Sequence, residues 1–425
     1  MPLDVPAGYT ALDVASLPAF LRDLPEIQER LGGSAEAWRS REVSDGNLNQ
    51  VFMVTGPAGA VCVKQALPYV RVAGPDWQLP LSRAFFEAAY YDRVGSHVGK
   101  LIPKVYHYDP KLFCIVMEWL SPHIILRRGL VGGNRYQGVA RDVGEYLARA
   151  CFFTSDLAQR FETKNDDEAV FAKNQATERI TVDLIFADPY RISPRNRWTT
   201  PQLDDIAAAF RADAPLKGAA ARWGYRFLAC PQALVHGDLH TGSVMVTEDD
   251  TRVIDPEFAF YGPIGFDLGA FFGNLLMDHH AQSGLASAAS PRAAMQQWLL
   301  EQMTAFWEHF RARFLELWRS EAAGDAYPTS LFADAAGAAV LEAERQRFMD
   351  GLFADMVGFA AMKTVRRILG FAHNIDFDRI ADPARRAACE RAALLLARDM
   401  LIEPLRFNSI GDVVQAVRQT TPVLP

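Results

Sequence analysis

The stretch HGDLHTGSVMVTEDDTRVIDPE, residues 236–257, decides the fold. At its centre Val244-Met245-Val246 and Arg252-Val253-Ile254 flank the polar run from Thr247 to Thr251, the pattern of a hairpin of two short strands. The two ends of a hairpin lie side by side. Asp238, His240 and Ser243, before the first strand, are therefore expected to meet Asp255 and Glu257, after the second. Three carboxylates brought together can bind a hard divalent cation and leave one free as a base. A zinc site is the competing reading, since His236 and His240 stand four residues apart and could join Asp238 or Asp255 in a metal hydrolase. Gly237 makes a helix poor there, and no third histidine is close in sequence. The oxygen-rich donor set suits Mg²⁺, a cation commonly shared with substrate phosphates.

Upstream of this segment the chain reads as strands. Val51 to Thr55 and Ala60 to Lys64 flank Gly56-Pro57-Ala58-Gly59, another hairpin. A helix is expected from Ser82 to Val94 with Ser82 as its cap, then strands at Val105 to Tyr108 and Leu112 to Met117. Residues 40 to 118 thus form a small antiparallel sheet with one inserted helix. Before it, Leu17, Phe20, Leu21, Leu24, Ile27 and Leu31 fall at helical spacing within 12–31, with Pro18 and Pro25 as breaks and Gly32-Gly33 as the stop. After Ser121-Pro122 alanine-rich helical segments take over, at Gly138–Thr154, Gln202–Arg211, Ala293–Arg319, Leu331–Phe371 and Pro383–Met400. The domain boundary is placed near residue 120, dividing the chain into 1–120 and 121–425.

Composition sets outer limits. The 425 residues suffice for two or three domains, and half of them are apolar. A formal net charge of −7 argues against general affinity for nucleic acid, which needs clustered positive charge. Cys62, Cys114, Cys151, Cys230 and Cys389 show no metal-like spacing, and an odd number of scattered cysteines fits a reducing cytoplasmic setting. No signal peptide is read at the start. Phe258 to Met277 imitates a membrane span, with Gly265, Gly269 and Gly273 at four-residue spacing. Asp267 at a bilayer centre would cost about 2.5–3.5 kcal/mol, so a buried loop and core helix is expected instead.

Three features around the sheet point to phosphoryl transfer when taken in order. Asp45-Gly46-Asn47-Leu48-Asn49 precedes the first strand and can fold over phosphates through backbone N–H groups. Lys64 ends the second strand, where kinases place a phosphate-pairing lysine. Glu87 lies on the next helix, within reach of an ion pair with that lysine.

The whole series resembles the kinase-like fold of aminoglycoside and choline kinases, and more closely the methylthioribose kinases. The resemblance is carried by DGNLN at 45–49, Val116-Met117-Glu118-Trp119-Leu120, Arg128-Gly129-Leu130, HGDLHTGS at 236–243, DPEFAFYGPIGFD at 255–267, and Arg366-Arg367 followed by Gly370-Phe371-Ala372-His373. It implies an α+β, two-lobed protein-kinase-like fold with a small antiparallel-sheet N-lobe and a large, mainly helical C-lobe. It implies an enzyme that phosphorylates the anomeric hydroxyl of a methylthio sugar with ATP, in methionine salvage, as a cytoplasmic homodimer. By the same resemblance Asp238 is the base, and Asp255 and Glu257 hold Mg²⁺. Asp45, Gly46, Asn47, Asn49, Lys64 and Glu87 serve the ATP phosphates. Met117 backs the adenine, to which Glu118 and Leu120 present backbone groups. Arg366 and Arg367 reach the substrate and the transferring phosphoryl group, Trp77 closes the substrate pocket, and Asp267 holds the catalytic-loop backbone. Ser243 departs from the general kinase pattern, which has asparagine there. Two rivals stand beside this reading: a kinase of the same fold for another small alcohol, such as an aminoglycoside or choline, and a nucleotide-binding protein without catalysis.

Overall fold

The computed structural model describes residues 5–43, 48–71, 74 and 76–424. The expected loop residues Asp45, Gly46 and Asn47 lie outside this set. The first sheet has five antiparallel strands: β1 (Arg39–Glu42), β2 (Asn49–Thr55), β3 (Ala60–Ala66), β4 (Val105–Asp109) and β5 (Cys114–Glu118), in the order β1-β2-β3-β5-β4. Alternation along β3 sorts its two faces. Val61 and Val63 are buried with Phe52, Val54 and Val116 under the N-terminal residues Leu17, Leu21, Ile27 and Leu31. Lys64, of opposite parity, faces the other side.

That N-terminal segment is two short helices rather than one, α1 (Leu17–Leu21) and α2 (Pro25–Leu31). Leu24 is extended, and Pro25 opens the second helix, where a missing N–H costs nothing. Helix α3 (Arg83–Val98) is the one inserted in the sheet region. Ser82 does not cap it: its own backbone is already helical, and its side chain makes no capping hydrogen bond. Helix α3 buries Phe86, Tyr90, Tyr91 and Val94 in the large helical core, so it forms a wall common to sheet and helices.

The remainder is helical: α4 (Leu126–Gly132), α5 (Val139–Phe153), α6 (Phe161–Phe171), α7 (Gln175–Thr181), α8 (Asp204–Ala212), α9 (Ala214–Ala229), α10 (Ile264–Leu285), α11 (Ala293–Ser320), α12 (Ala335–Leu369), α13 (Ile375–Asp378), α14 (Pro383–Ile402) and α15 (Ile410–Thr420). Helices α4, α6, α7, α9, α13 and α15 are additions to the sequence reading. Helix α6 contributes the polar Lys164 and Asp167 to its buried side, which hides it from an apolar-periodicity search. Two small sheets complete the fold. Strands β6 (Ile124–Ile125), β8 (Val244–Val246) and β9 (Thr251–Val253) form one, and β7 (Ala233–Val235) pairs with β10 (Phe260–Gly262) in the other. The β7–β10 pair was not expected, because three-residue strands at such separation leave no local signature.

The segment that imitates a membrane span contributes β10 and most of α10. No helix among the described residues is long and apolar enough to cross a membrane. Its glycines do make a close-packing face, directed at α12. A Cβ on Gly269 would stand 2.7 Å from Phe359 Cβ and Ala360 N, and one on Gly273 would stand 2.9 Å from Ala360 O. Beside this seam Phe271 and Phe272 are fully buried, each contributing about 1.5–3 kcal/mol.

Candidate active site

The loop after β7 is built on its own backbone. Gly237 has φ +84°, and a Cβ there would collide with Phe258 O, so no other residue fits without displacement. Asp267, in the first turn of α10, accepts from His236 N at 2.6 Å and from Gly237 N at 3.1 Å. The His236 ring is fully buried, with Nε2 2.9 Å from Ile254 O and Nδ1 accepting from Asp238 N at 3.3 Å. Both ring nitrogens are therefore engaged by the loop and the hairpin end, which removes His236 from any zinc site.

Asp238 sits at the mouth of this loop, about a third exposed. Lys363 Nζ lies 3.2 Å from its Oδ1 and His240 Nε2 lies 3.5 Å from its Oδ2. Burial by itself would raise the Asp238 carboxyl. The His240 ring, with Nε2 turned to the carboxylate, and the cations Lys363, Arg367 and Arg366 outweigh it and hold the group well below the ordinary carboxylate range. His240 is pushed the other way, first by burial and then by Arg127, Arg367 and Lys363, so its ring stays neutral despite the attraction of Asp238. Its Nδ1 accepts from Gly242 N at 2.9 Å, which leaves the ring proton on Nε2, towards Asp238. Ser243 is turned inward, donating to Asp238 O at 2.9 Å. It braces the loop rather than facing a ligand.

A second cluster lies where β3, α3 and the hairpin end meet. Lys64 Nζ donates to Glu87 Oε2 at 2.5 Å and also bonds Asp255 Oδ1. Carboxylate oxygens of Glu87, Asp255 and Glu257 lie within 4.8 Å of one another. The sequence reading grouped Asp238 with Asp255 and Glu257; here Glu87 is the third member and Asp238 belongs to the cationic group. Backbone reach explains the change. Asp255 takes a left-handed conformation, φ +72°, anchored by its N–H to Tyr91 Oη at 3.0 Å, and this brings it alongside α3. Burial, with Asp255 and Glu257 nearby, pushes Glu87 up to about 8 even with Lys64 in contact. Burial would lower the Lys64 ammonium, but Asp255, Glu87 and Glu257 raise it above the ordinary lysine value.

Glu257 is almost fully buried. Its Oε2 accepts from Asn49 Nδ2 at 2.9 Å and from Arg83 Nε at 3.1 Å. Arg83, itself 1% exposed, also donates to the carbonyls of Leu48, Leu67, Leu79 and Pro80. It therefore ties the sheet to the Asp-Pro-Glu segment. Sequence reasoning passed it over, because nothing in one arginine at a helix start betrays burial. This donor set fits a divalent cation: three oxygen ligands of hard character, with negative charge in excess of Lys64 and Arg83.

On the linker, Met117 is buried in β5 and Leu120 is nearly so. Glu118 N donates to Lys104 O at 2.8 Å, so its N–H is engaged within the sheet region. The Glu118 carboxylate is held by Lys104 N and Arg252. Trp77 packs on Phe371, centroid to centroid 5.1 Å, bringing the Pro-flanked loop against the end of α12. Arg366 and Arg367 are drawn in beside Asp238, and the Nε of each is buried without a hydrogen-bond partner. Lys363 is the other residue sequence reasoning missed. The signal was available: Lys363, Arg366 and Arg367 stand at i, i+3 and i+4, which is one face of a helix. Arg127 of α4 adds a fourth cation, bonded to Thr241 Oγ1 at 3.1 Å and Asn274 Oδ1 at 2.7 Å.

The phosphotransferase enzyme family matches residues 39–306, from the first strand to α11, a range that holds Lys64, Glu87, Asp238, Asp255 and Glu257 but ends before Lys363, Arg366 and Arg367. A methylthioribose kinase of Escherichia coli O45:K1 is 41% identical over 97% of this chain and 99% of its own length. Methylthioribose kinase 1 of rice is 42% identical over 97% and 96%. The chain belongs to the methylthioribose kinase family. Among solved structures, choline kinase from Cryptosporidium parvum aligns with 93% of this chain and 98% of that one, at a TM-score of 0.46 and 11% identity. The fold is α+β and two-lobed, with a small antiparallel sheet followed by a large helical part.

Proposed function

We propose that this chain transfers the γ-phosphoryl group of ATP to the anomeric hydroxyl of 5-methylthioribose, giving ADP and 5-methylthioribose 1-phosphate in methionine salvage. The observation that carries the reading is a carboxylate, Asp238, kept ionised by Lys363, Arg366 and Arg367 next to a separate three-carboxylate cluster around Lys64. The first is a base facing a cationic pocket, and the second is a place for a nucleotide with its cation. Full-length likeness to methylthioribose kinases supports the choice of sugar.

In this reading Asp238 orients the sugar hydroxyl and takes its proton as the bond to phosphorus forms. Arg366 and Arg367 turn their unpartnered Nε groups to the sugar and the moving phosphoryl oxygens. Asp255 and Glu257 hold Mg²⁺, Glu87 keeps Lys64 directed at the phosphates, and Asn49 and Arg83 fix Glu257. Bound there, Mg²⁺ offsets the negative charge of the ATP phosphates. Met117 and Leu120 receive the adenine, and Asp45, Gly46 and Asn47 complete the phosphate loop. Trp77 closes over the sugar, and Asp267 keeps the loop in register. The two lobes divide near residue 120, and the protein works as a cytoplasmic homodimer.

Four cations around Asp238 are the wrong lining for a polycationic aminoglycoside, which needs an acidic pocket. A coupled ADP-release assay across methylthioribose, ribose, choline and kanamycin tests the reading. Turnover of methylthioribose above the others is expected. Preference for kanamycin or choline, or silence with every acceptor, overturns it.

A further inference from the structure

We infer that Lys363 is the positioning residue of the reaction: its ammonium group orients Asp238 and provides the nearest of the charges that keep it a base. This rests on the kinase reading above. Three independent features place it. Lys363 Nζ is 3.2 Å from Asp238 Oδ1, while the side chain is only 4% exposed. The ammonium also lies 4.3 Å from the centroid of the Phe266 ring, whose face attracts a cation. Phe266 directly precedes Asp267, which bonds the backbone of His236 and Gly237. One turn of α10 thus supports the loop through Asp267 and the lysine through Phe266, so α10, α12 and the loop share one geometry.

The surroundings explain why a buried lysine is tolerated. Burial and the neighbouring Arg366 and Arg367 disfavour its charge, and Asp238 favours it. Asp267 lies close enough to be stabilised by it. Around Asp238 the other charged or titratable groups are His240 on its own loop, Arg366 and Arg367 on α12 and Arg127 on α4. Lys363 and His240 are the two with side-chain contacts to the carboxylate, and His240 is neutral. Lys363 is therefore the contacting cation. The arginines, about one turn further along α12, keep their Nε groups unpartnered. The helix face so divides its work: Lys363 serves the base, and the arginines serve what the base acts upon.

The test compares Lys363→Met with Lys363→Arg in the full-length protein, with thermal melts to show that each is folded. For Lys363→Met, kcat should fall about 10- to 100-fold, as expected when a reacting group is misplaced by about 1 Å, with KM for ATP unchanged. Its acid limb should move to higher pH by about one unit, because removing a cation raises a carboxyl. Lys363→Arg retains the charge and should leave the acid limb in place and recover most of kcat. In an Asp238→Asn background the methionine substitution should cost nothing more. A Lys363→Met enzyme within about twofold of wild type, or equal losses and equal limbs for Met and Arg, would overturn the inference. Should wild type turn over no acceptor at all, the kinase reading fails by itself. Lys363 is then judged on the ¹³C carboxyl titration of Asp238: a higher midpoint in Lys363→Met supports the inference, and an unmoved one overturns it.

Discussion

Two acid-bearing centres lie on either side of one hairpin and are built on opposite electrostatic plans. Around Asp238 a single carboxylate is outnumbered by Lys363, Arg366, Arg367 and Arg127, and it is held well below its usual range. Around Lys64 the carboxylates win: Glu87, Asp255 and Glu257 face two cations, and Glu87 is driven up to about 8. The first centre keeps its carboxylate ionised. The second has unbalanced negative charge that a divalent cation would relieve. Charge surplus of opposite sign is what distinguishes the two neighbouring centres.

The comparison breaks most severely at Asp238. Asp238→Ala should lower kcat by about 10²–10⁴-fold while ATP still binds, measured by steady-state kinetics beside nucleotide titration. Retained kcat would mean the cationic centre is not where the hydroxyl is activated. Next in size is Arg83→Met, which leaves the Glu257 carboxylate buried without its cation. A loss of about 3–5 kcal/mol is expected, read as a lowered melting temperature. Glu257→Gln added to it should recover part of that loss. Third, Mg²⁺ at about one hundred times its Kd should stabilise the protein by about 2.7 kcal/mol. Asp255→Asn should weaken that response in a thermal melt, whereas Asp238→Asn should not. Finally, the smallest effect is an absence. Asp238 is lowered and therefore ionised throughout the neutral range, losing its charge only as pH falls below its ordinary value. His240 is lowered and therefore neutral there. Accordingly neither Asp238 nor His240 should contribute a limb to the pH–rate profile between about pH 6 and pH 8, where Glu87, at about 8, is the group that titrates. A limb near 6.5 in the pH–rate profile would show that His240 titrates.

Much of this was readable in the chain. The hairpin between Ser243 and Asp255 follows from alternation and a polar turn, and it brings the two ends of the motif together as geometry requires. Lys64 and Glu87 were paired from element order alone, and their side chains meet at 2.5 Å. Other features were illegible for physical reasons. Ser82 looks like a cap, but capping depends on a backbone conformation that composition does not reveal. Arg83 looks like any surface arginine until Leu48-Asn49, Leu67, Leu79-Pro80 and Glu257 close around it. The grouping of Glu87, and not Asp238, with Asp255 depends on one left-handed residue and a hydroxyl from α3.

By itself the sequence determined which groups exist and in what order they are strung: a strand lysine, a helix glutamate, a loop aspartate, an acidic pair and an arginine pair. Local periodicity and turn chemistry carry that much, because they act between near neighbours. The tertiary structure decided which charges face which. It set Lys363 against Asp238 and Arg83 against Glu257, contacts spanning 125 and 174 positions of chain. The sign of a carboxyl's pKa shift depends on its surroundings in space, and those are assembled only when α10, α12 and the sheet close on one another.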